Sequence, residues 1–265
     1  MTLKTNIRKN LNKSLKSIVI NGLLITTVSL SSGMALAQDK IRFATEGAWA
    51  PFNFIDSSGT AKGFDVDIAN ALCARMDADC SMQTQDWDGL IPALKVKKFD
   101  AIIASMSITA ERAEQVDFTD RYYSGGLRFV AAKGEVFDTS KAGLKGKVIG
   151  AQRATVAGLY LEDQLAGVVE MKLYDNNDNV YLDLKSGRLD GALSDELPTY
   201  DWLKSDAAQG FEYKGEAFAK DDKIAIAVRK GDDKLRKQLN KALAEIIADG
   251  TYAKINAQYF PFSIY

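Results

Sequence analysis

Short apolar runs alternate with stretches of helical hydrophobic spacing, and this alternation restricts the fold more than any other feature of the chain. KIRFAT (40–45) and FDAIIAS (99–105) are typical of buried strands. DVDIANALCARM (65–76) and DGLIPALKVKK (88–98) instead carry apolar residues at helical intervals. All-helical and all-β proteins do not show this order, so we predict an α/β fold.

The second part of the chain continues the pattern. LRFVAAKG (127–134), GKVIGA (146–151) and KIAIAVRK (223–230) predict strands, and a helix is expected near 155–165. The clearest helix covers 235–247, where leucine and isoleucine recur at helical spacing before a glycine.

The first 37 residues have the features of an export signal rather than of a folded domain. A basic start without acids precedes the apolar stretch SIVINGLLITTVSL, and ALA (35–37) fits the small-residue cleavage pattern. The apolar stretch is too short and too polar for a convincing membrane span. We therefore predict a signal peptide over 1–37, cleaved after Ala37.

The net charge restricts the partners of the exported chain. Loss of the five basic leader residues leaves 29 Lys and Arg against 35 Asp and Glu, a net charge of −6. Because phosphate binding needs a basic face, a nucleic-acid partner is not expected.

Cys73 and Cys80 are the only cysteines, and in an exported chain a close pair is most simply a disulfide. A zinc site would need further ligands, and the chain contains no histidine. The absence of histidine also removes Ser/His and Cys/His nucleophilic chemistry. We expect neither a metal nor another cofactor.

The stretch FDAIIASMSITAER places polar side chains directly after an apolar run. Ser105, Ser107 and Thr109 supply hydroxyls, Arg112 supplies a guanidinium, and Thr109 suits the N-cap of a helix. Such donors at a helix start favour a carboxylate or a phosphate. A capped surface helix with a solvated arginine is the alternative interpretation.

Two tryptophans follow predicted strands, at the edge where open α/β sheets bind ligands. ATEGAWAPFNF (44–54) carries Glu46 and Trp49, and QDWDG (85–89) carries Trp87. Aromatic faces beside an acid suit a flat cation, which stacks on the rings while its charge pairs with Glu46. Simple core packing is the alternative for both tryptophans.

Two further turns join a predicted strand to a predicted helix. GALSDELP (191–198) places Asp195 at a helix start, where it is either an N-cap or a fixed anion for an ammonium group. GAQRATVAG (150–158) places Thr155 as a cap, which by itself is a weak anion-site signal.

Together these motifs resemble the bacterial periplasmic solute-binding proteins of family 3, the polar amino-acid receptors of ABC importers. The resemblance covers nearly all of 40–264 and is carried by four segments: GFDVDIANALCARM, DGLIPALKVKKFDAIIASMSIT, SGRLDGAL and ADGTYAKINAQYF. It is greatest to lysine/arginine/ornithine- and arginine-binding members and next to opine-binding members. The basic amino-acid members carry a disulfide where Cys73 and Cys80 stand.

The resemblance implies a site for each end of an amino acid. The α-carboxylate clamp falls on Arg112, Ser107 and the Thr155 turn, and the α-ammonium falls on Asp195 with help from Ser105 and Ser107. A departure from the family pattern lies in this turn, where the common Gly-Thr-Thr is Ala154 to Val156.

The side-chain pocket implied by the resemblance is Glu46, Trp49 and Trp87. An acid at this position selects a distal cation and repels an acidic side chain. The expected ligand is a cationic or guanidino amino acid: arginine, ornithine or lysine, with histidine and opines as further candidates.

The resemblance also implies a two-lobe periplasmic binding protein-like fold (type II), with the ligand cleft between lobes joined by two hinge strands. We expect lobe 1 at 38–124 and 222–265 and lobe 2 at 125–221. The protein would be a periplasmic monomer that closes on its ligand and delivers it to an ABC permease in the inner membrane.

An exported enzyme on the same scaffold is the alternative to a receptor. It would be a dehydratase acting on a small carboxylate, with Glu46 or Asp195 as general acid. Asp195 argues against it, because this acid would repel a substrate that lacks an ammonium group.

Overall fold

The computed structural model describes residues 39–265, so the predicted signal peptide and its cleavage site lie outside the described residues. Strands and helices alternate through this part of the chain, which confirms the predicted α/β class. The strands are β1 (Lys40–Thr45), β2 (Ala48–Trp49), β3 (Asn53–Ile55), β4 (Ala61–Lys62), β5 (Asp79–Thr84), β6 (Ala101–Ile102), β7 (Val116–Ala132), β8 (Val148–Gln152), β9 (Glu170–Tyr174), β10 (Gly191–Asp195) and β11 (Phe211–Arg229). The α-helices are α1 (Phe64–Met76), α2 (Leu90–Lys95), α3 (Ala110–Gln115), α4 (Val156–Gln164), α5 (Asn177–Lys185), α6 (Glu196–Trp202), α7 (Asp233–Ala248) and α8 (Thr251–Tyr259).

A mixed sheet organises residues 39–265, with the strand order β5-β1-β6-β11-β7-β10-β8-β9. The outer strands pair in parallel at both ends of the sheet, and β7 and β11 join the two ends as an antiparallel pair. We call β5, β1 and β6 with their helices the first lobe, and β10, β8 and β9 with their helices the second lobe.

The two long strands are the connections between the lobes. Their register runs from Val116 opposite Arg229 at one end to Ala132 opposite Phe211 at the other. Both strands are longer than the predicted runs at 127–134 and 223–230, because pairing continues beyond each apolar run. The register shifts at several points along the pair, including between Lys214 and Phe218 and between Phe218 and Asp222.

Each lobe has its own hydrophobic core. In the first lobe α1 and α7 bury leucines such as Leu72 and Leu239 against the sheet. In the second lobe Leu161 of α4 packs with Ile149 and Leu193 of the strands beneath it. Each buried leucine contributes about 1.5 to 3 kcal/mol of transfer free energy, so both lobes are held largely by these faces.

Two predicted elements are shorter in the structure. The helix expected over 88–98 is a 3-10 turn at Trp87–Gly89 followed by α2, and the backbone leaves the helical region at Lys97, where φ is 64°. The strand expected over 99–105 keeps ladder pairing only in β6. Beyond β6 the chain turns at Ser105, where φ is 53°, and this turn brings Ser105 to the cleft.

The Cys73–Cys80 disulfide is present and joins α1 to β5, as predicted. Among residues 39–265 no helix is long and apolar enough to cross a lipid bilayer.

Candidate functional site

The cavity between the lobes is lined by all eight side chains predicted for the ligand site. They are Glu46, Trp49, Trp87, Ser105, Ser107, Arg112, Thr155 and Asp195. Ala104, Gln152 and Val156 complete the lining.

The topology explains why residues so distant in sequence meet. Glu46 follows β1, while Gln152 and Asp195 are the last residues of β8 and β10. In open α/β sheets ligands bind beyond the carboxyl ends of parallel strands. The two lobes direct these ends toward a common cleft.

Arg112 is buried, with 7% of its surface exposed, and its hydrogen-bonding capacity is only partly used. It donates from Nη1 to the Ser107 carbonyl at 2.8 Å and from Nη2 to the Ala154 carbonyl at 2.9 Å. No carboxylate of residues 39–265 forms an ion pair with it, and burial lowers the pKa of its guanidinium. The remaining N–H donors are free for an anion. The alternative of a solvated surface arginine is therefore wrong.

Asp195 occupies the N-cap position of α6, but its side chain accepts no capping hydrogen bond. Within the described part of the chain this carboxylate has neither a hydrogen-bond donor nor an ion-pair partner. Burial raises the pKa of Asp195 to about 7, with a further rise from Asp222 and an opposing effect of Arg112. The local N-cap role thus does not account for this side chain.

The two predicted serines bond to acids that the sequence did not single out. Ser105 Oγ donates to Asp65 Oδ2 at 3.0 Å, and Ser107 Oγ donates to Asp222 Oδ2 at 2.6 Å. Burial raises the pKa of Asp222. Both hydroxyls are thus held at the cleft by the carboxylates to which they donate.

Glu46 is joined to the second lobe by Gln152. The Gln152 Nε2 group donates to Glu46 Oε1 at 2.6 Å and to the Asp175 carbonyl at 3.2 Å. Burial raises the pKa of Glu46 to about 7; the hydrogen bond from Gln152 opposes the rise, and nearby aspartates add to it. A ligand cation beside Glu46 would favour its ionised form.

The tryptophans differ in burial but both reach the cavity. Trp49 is 6% exposed, belongs to the first lobe's core, and its Nε1 has no acceptor among residues 39–265. Trp87 is partly exposed, donates from Nε1 to the Ala154 carbonyl at 3.1 Å, and lies 5.2 Å from the Arg112 guanidinium. Core packing and pocket lining are thus combined in Trp49, while Trp87 belongs to the cleft.

The turn before α4 is formed as the sequence indicated. Thr155 caps the helix by accepting from the Gly158 N–H at 3.2 Å. Ala154 adopts a left-handed conformation with φ at 56°, which the glycine of the common family turn adopts more easily. Its carbonyl is the acceptor for both Trp87 and Arg112, so the turn binds the first lobe directly.

Contacts across the cleft describe a closed arrangement. Besides the bonds of Gln152 and Ala154, Arg153 pairs with Asp88 of the first lobe at 2.5 Å and with Asp175 of its own lobe at 2.7 Å. These groups are substantially exposed at the rim of the cleft. Polar contacts between the lobes therefore surround the cavity.

Three residues of the site escaped the sequence analysis: Asp65, Gln152 and Asp222. Gln152 had a detectable signal, since a polar residue at the end of an apolar strand run lies where ligands bind. Asp222 had none, because its place beside Ser107 depends on the antiparallel bridge between Ser107 and Ile224 of β11.

Two α/β lobes joined by two long strands around a charged cleft define a periplasmic binding protein of the type II fold. The chain belongs to the bacterial extracellular solute-binding proteins, family 3, whose family model matches residues 41–262. The predicted family and the two-lobe fold are thereby confirmed.

Named relatives and a solved structure support this assignment. The L-arginine-binding protein of Pseudomonas aeruginosa is 40% identical over 257 residues, covering 95% of this chain and 99% of the relative. The lysine/arginine/ornithine-binding periplasmic protein of Escherichia coli is 38% identical, covering 94% and 98%. An ancestral arginine-binding protein bound to arginine has a TM-score of 0.79 at 36% identity, covering 84% of this chain and 99% of that one.

Proposed function

We propose that this chain is the periplasmic receptor of an ABC importer and binds a cationic or guanidino amino acid in the cleft. The carrying observation is the charge at the cavity: among residues 39–265, Glu46 and Asp195 line it and Asp222 lies behind Ser107, while Arg112 is the one cation in the lining. An amino-acid ligand with a cationic side chain offsets this acidic excess. A ligand with a neutral side chain leaves the excess in place, and a ligand with an acidic side chain increases it.

The α-carboxylate of the ligand would bind Arg112. The unused guanidinium donors support this placement, as does the start of α4, whose first N–H groups favour an anion. Thr155 positions that turn through its cap, and Ser107 anchors Arg112 through its carbonyl. The guanidinium and these backbone N–H groups would replace water around the buried carboxylate.

The α-ammonium would bind Asp195. An acid without a partner in a closed cleft is costly unless a cation reaches it, and an ammonium supplies both charge and donors. Ser105 and Ser107 can accept further ammonium protons, since each hydroxyl uses its own proton on Asp65 or Asp222.

The distal cation would lie beside Glu46, between Trp49 and Trp87. Cations on aromatic faces gain up to about 2 kcal/mol when desolvated, and pairing with Glu46 adds selectivity for charge. This arrangement fits arginine, ornithine and lysine, with histidine and opines as further candidates.

Ligand contacts on both lobes would favour the closed form, which the permease recognises. Because Arg112 and Glu46 belong to the first lobe and Asp195 and Thr155 to the second, a ligand binds the closed form more tightly and shifts the population toward it. We place lobe 1 at 38–124 and 222–265 and lobe 2 at 125–221, with export as a monomer after cleavage behind Ala37.

Calorimetric titration of the exported protein tests the proposal, after unfolding and refolding to remove bound ligand. The ligands are arginine, ornithine, lysine, histidine, octopine, nopaline and glutamate. Binding of a cationic amino acid or an opine with glutamate silent is expected. Absence of binding to all of them, together with turnover of a prephenate-like acid, would favour the dehydratase alternative.

A further inference from the structure

Gln152 combines deep burial with an unused acceptor. It is 1% exposed at the end of β8 and lines the cavity beside Glu46. Its Oε1 atom is buried and has no hydrogen-bond partner within residues 39–265. A buried polar atom without a partner is costly, so such an atom at a cavity wall calls for a donor from outside the chain.

The orientation of the Gln152 amide follows from its surroundings. Both hydrogen bonds of Nε2 go to acceptors, the Glu46 carboxylate and the Asp175 carbonyl. Turning the amide over would bring Oε1 against these oxygens and lose both bonds. The unpartnered atom is therefore the oxygen, and the missing group is a donor.

The fold itself does not use this oxygen. The cap of α4 is made by Thr155, which donates to the backbone carbonyl of Gln152 rather than to its side chain. The Nε2 group already orders Glu46. Of the side-chain polar atoms of Gln152, Oε1 is thus the one that no contact among residues 39–265 explains.

We propose that Gln152 Oε1 is a second acceptor for the distal group of the ligand and makes the site prefer a guanidinium to a primary ammonium. This inference rests on the proposed function, since it assumes a cationic amino acid beside Glu46. A guanidinium presents N–H donors in a rigid planar fork, so one N–H can bind Glu46 while a neighbouring N–H binds Gln152. An ammonium is a compact point charge that Glu46 alone can satisfy.

The substitution Gln152→Met tests the inference, because methionine has similar length and no comparable acceptor. We expect arginine affinity to fall roughly tenfold and lysine and ornithine affinities to fall less than about threefold. The quantity to measure is the ratio of arginine to lysine and ornithine dissociation constants, by calorimetry or by competition where binding is weak. Gln209→Met, an exposed glutamine of the second lobe, is the matched control and should leave the ratio unchanged.

The outcomes distinguish failure of this inference from failure of the proposed function. An equal loss for all three ligands would overturn it, because Gln152 would then act only by positioning Glu46. An unchanged arginine affinity would overturn it as well. Wild-type protein that binds none of these ligands would instead refute the proposed function, and thermal unfolding of each variant identifies losses caused by misfolding.

Discussion

Asp65 in the first turn of α1 and Asp195 at the start of α6 are both carboxylates at helix starts, but their surroundings are opposite. Asp65 is fully buried and accepts from Tyr122 Oη at 2.6 Å, Asn53 Nδ2 at 2.8 Å and Ser105 Oγ at 3.0 Å. Asp195 accepts from none of the described residues. The chain satisfies the acid that serves its fold and leaves unsatisfied the acid that we assign to a ligand.

Removal of the unsatisfied acid should give the largest effect on binding. For Asp195→Asn we expect arginine affinity to fall by about 4 kcal/mol, roughly a thousandfold, because the ammonium loses its charge partner. Stability should hold or rise, since no contact of the fold is lost. Calorimetry and urea unfolding measure the two quantities. An affinity within about threefold of wild type would refute our placement of the ammonium.

Removal of Asp65, the satisfied acid, should instead lower the stability of the fold. Asp65→Ala leaves the donors of Tyr122, Asn53 and Ser105 buried without an acceptor, which should lower the free energy of unfolding by about 3 kcal/mol. Urea unfolding at neutral pH gives this value. Asp67→Ala on the same helix is the control, since Asp67 accepts from Tyr259 away from this cluster. Equal losses in the two variants would mean that the Asp65 cluster has no special role.

The pH dependence should separate the two acids by their response to ligand. Burial raises the pKa of Asp195 from 3.8 to about 7 and that of Asp65 to about 6. The folded protein therefore binds more protons than the unfolded chain between about pH 4 and 7, and both acids make the free protein less stable as pH rises through this window.

Of Asp65 and Asp195, only Asp195 should respond to ligand, because the ammonium of the ligand binds the ionised carboxylate and lowers its pKa. Protonation of Asp195 should thus make arginine affinity roughly thirtyfold lower at pH 5.5 than at pH 8, with a further contribution from Glu46, whose pKa is also about 7. Titrations at the two pH values check this expectation. A pH-independent affinity would contradict it.

The sequence predicted the groups that touch the cavity better than the groups behind them. Residues such as Arg112 and Asp195 follow strand runs and are recognisable by type and position. Asp65 and Asp222 act through Ser105 and Ser107, and these pairs are separated by 40 and 115 positions. No local pattern specifies such contacts, because they depend on the bridge between Ser107 and Ile224 and on the turn at Ser105.

The smallest effect is expected for the exposed ion pair between Arg153 and Asp88 across the cleft. Arg153→Ala removes the pair with Asp88 that joins the two lobes across the cleft. Exposed ion pairs contribute about 0 to 1 kcal/mol, so arginine affinity should fall by no more than about fivefold and the free energy of unfolding should change little. Arg188→Ala is the matched control, since the Arg188–Asp183 pair is also exposed but lies within the second lobe. A loss confined to Arg153→Ala would assign the rim pair to closure, whereas equal losses in both variants would remove it from the mechanism and leave the ligand as the main connection between the lobes.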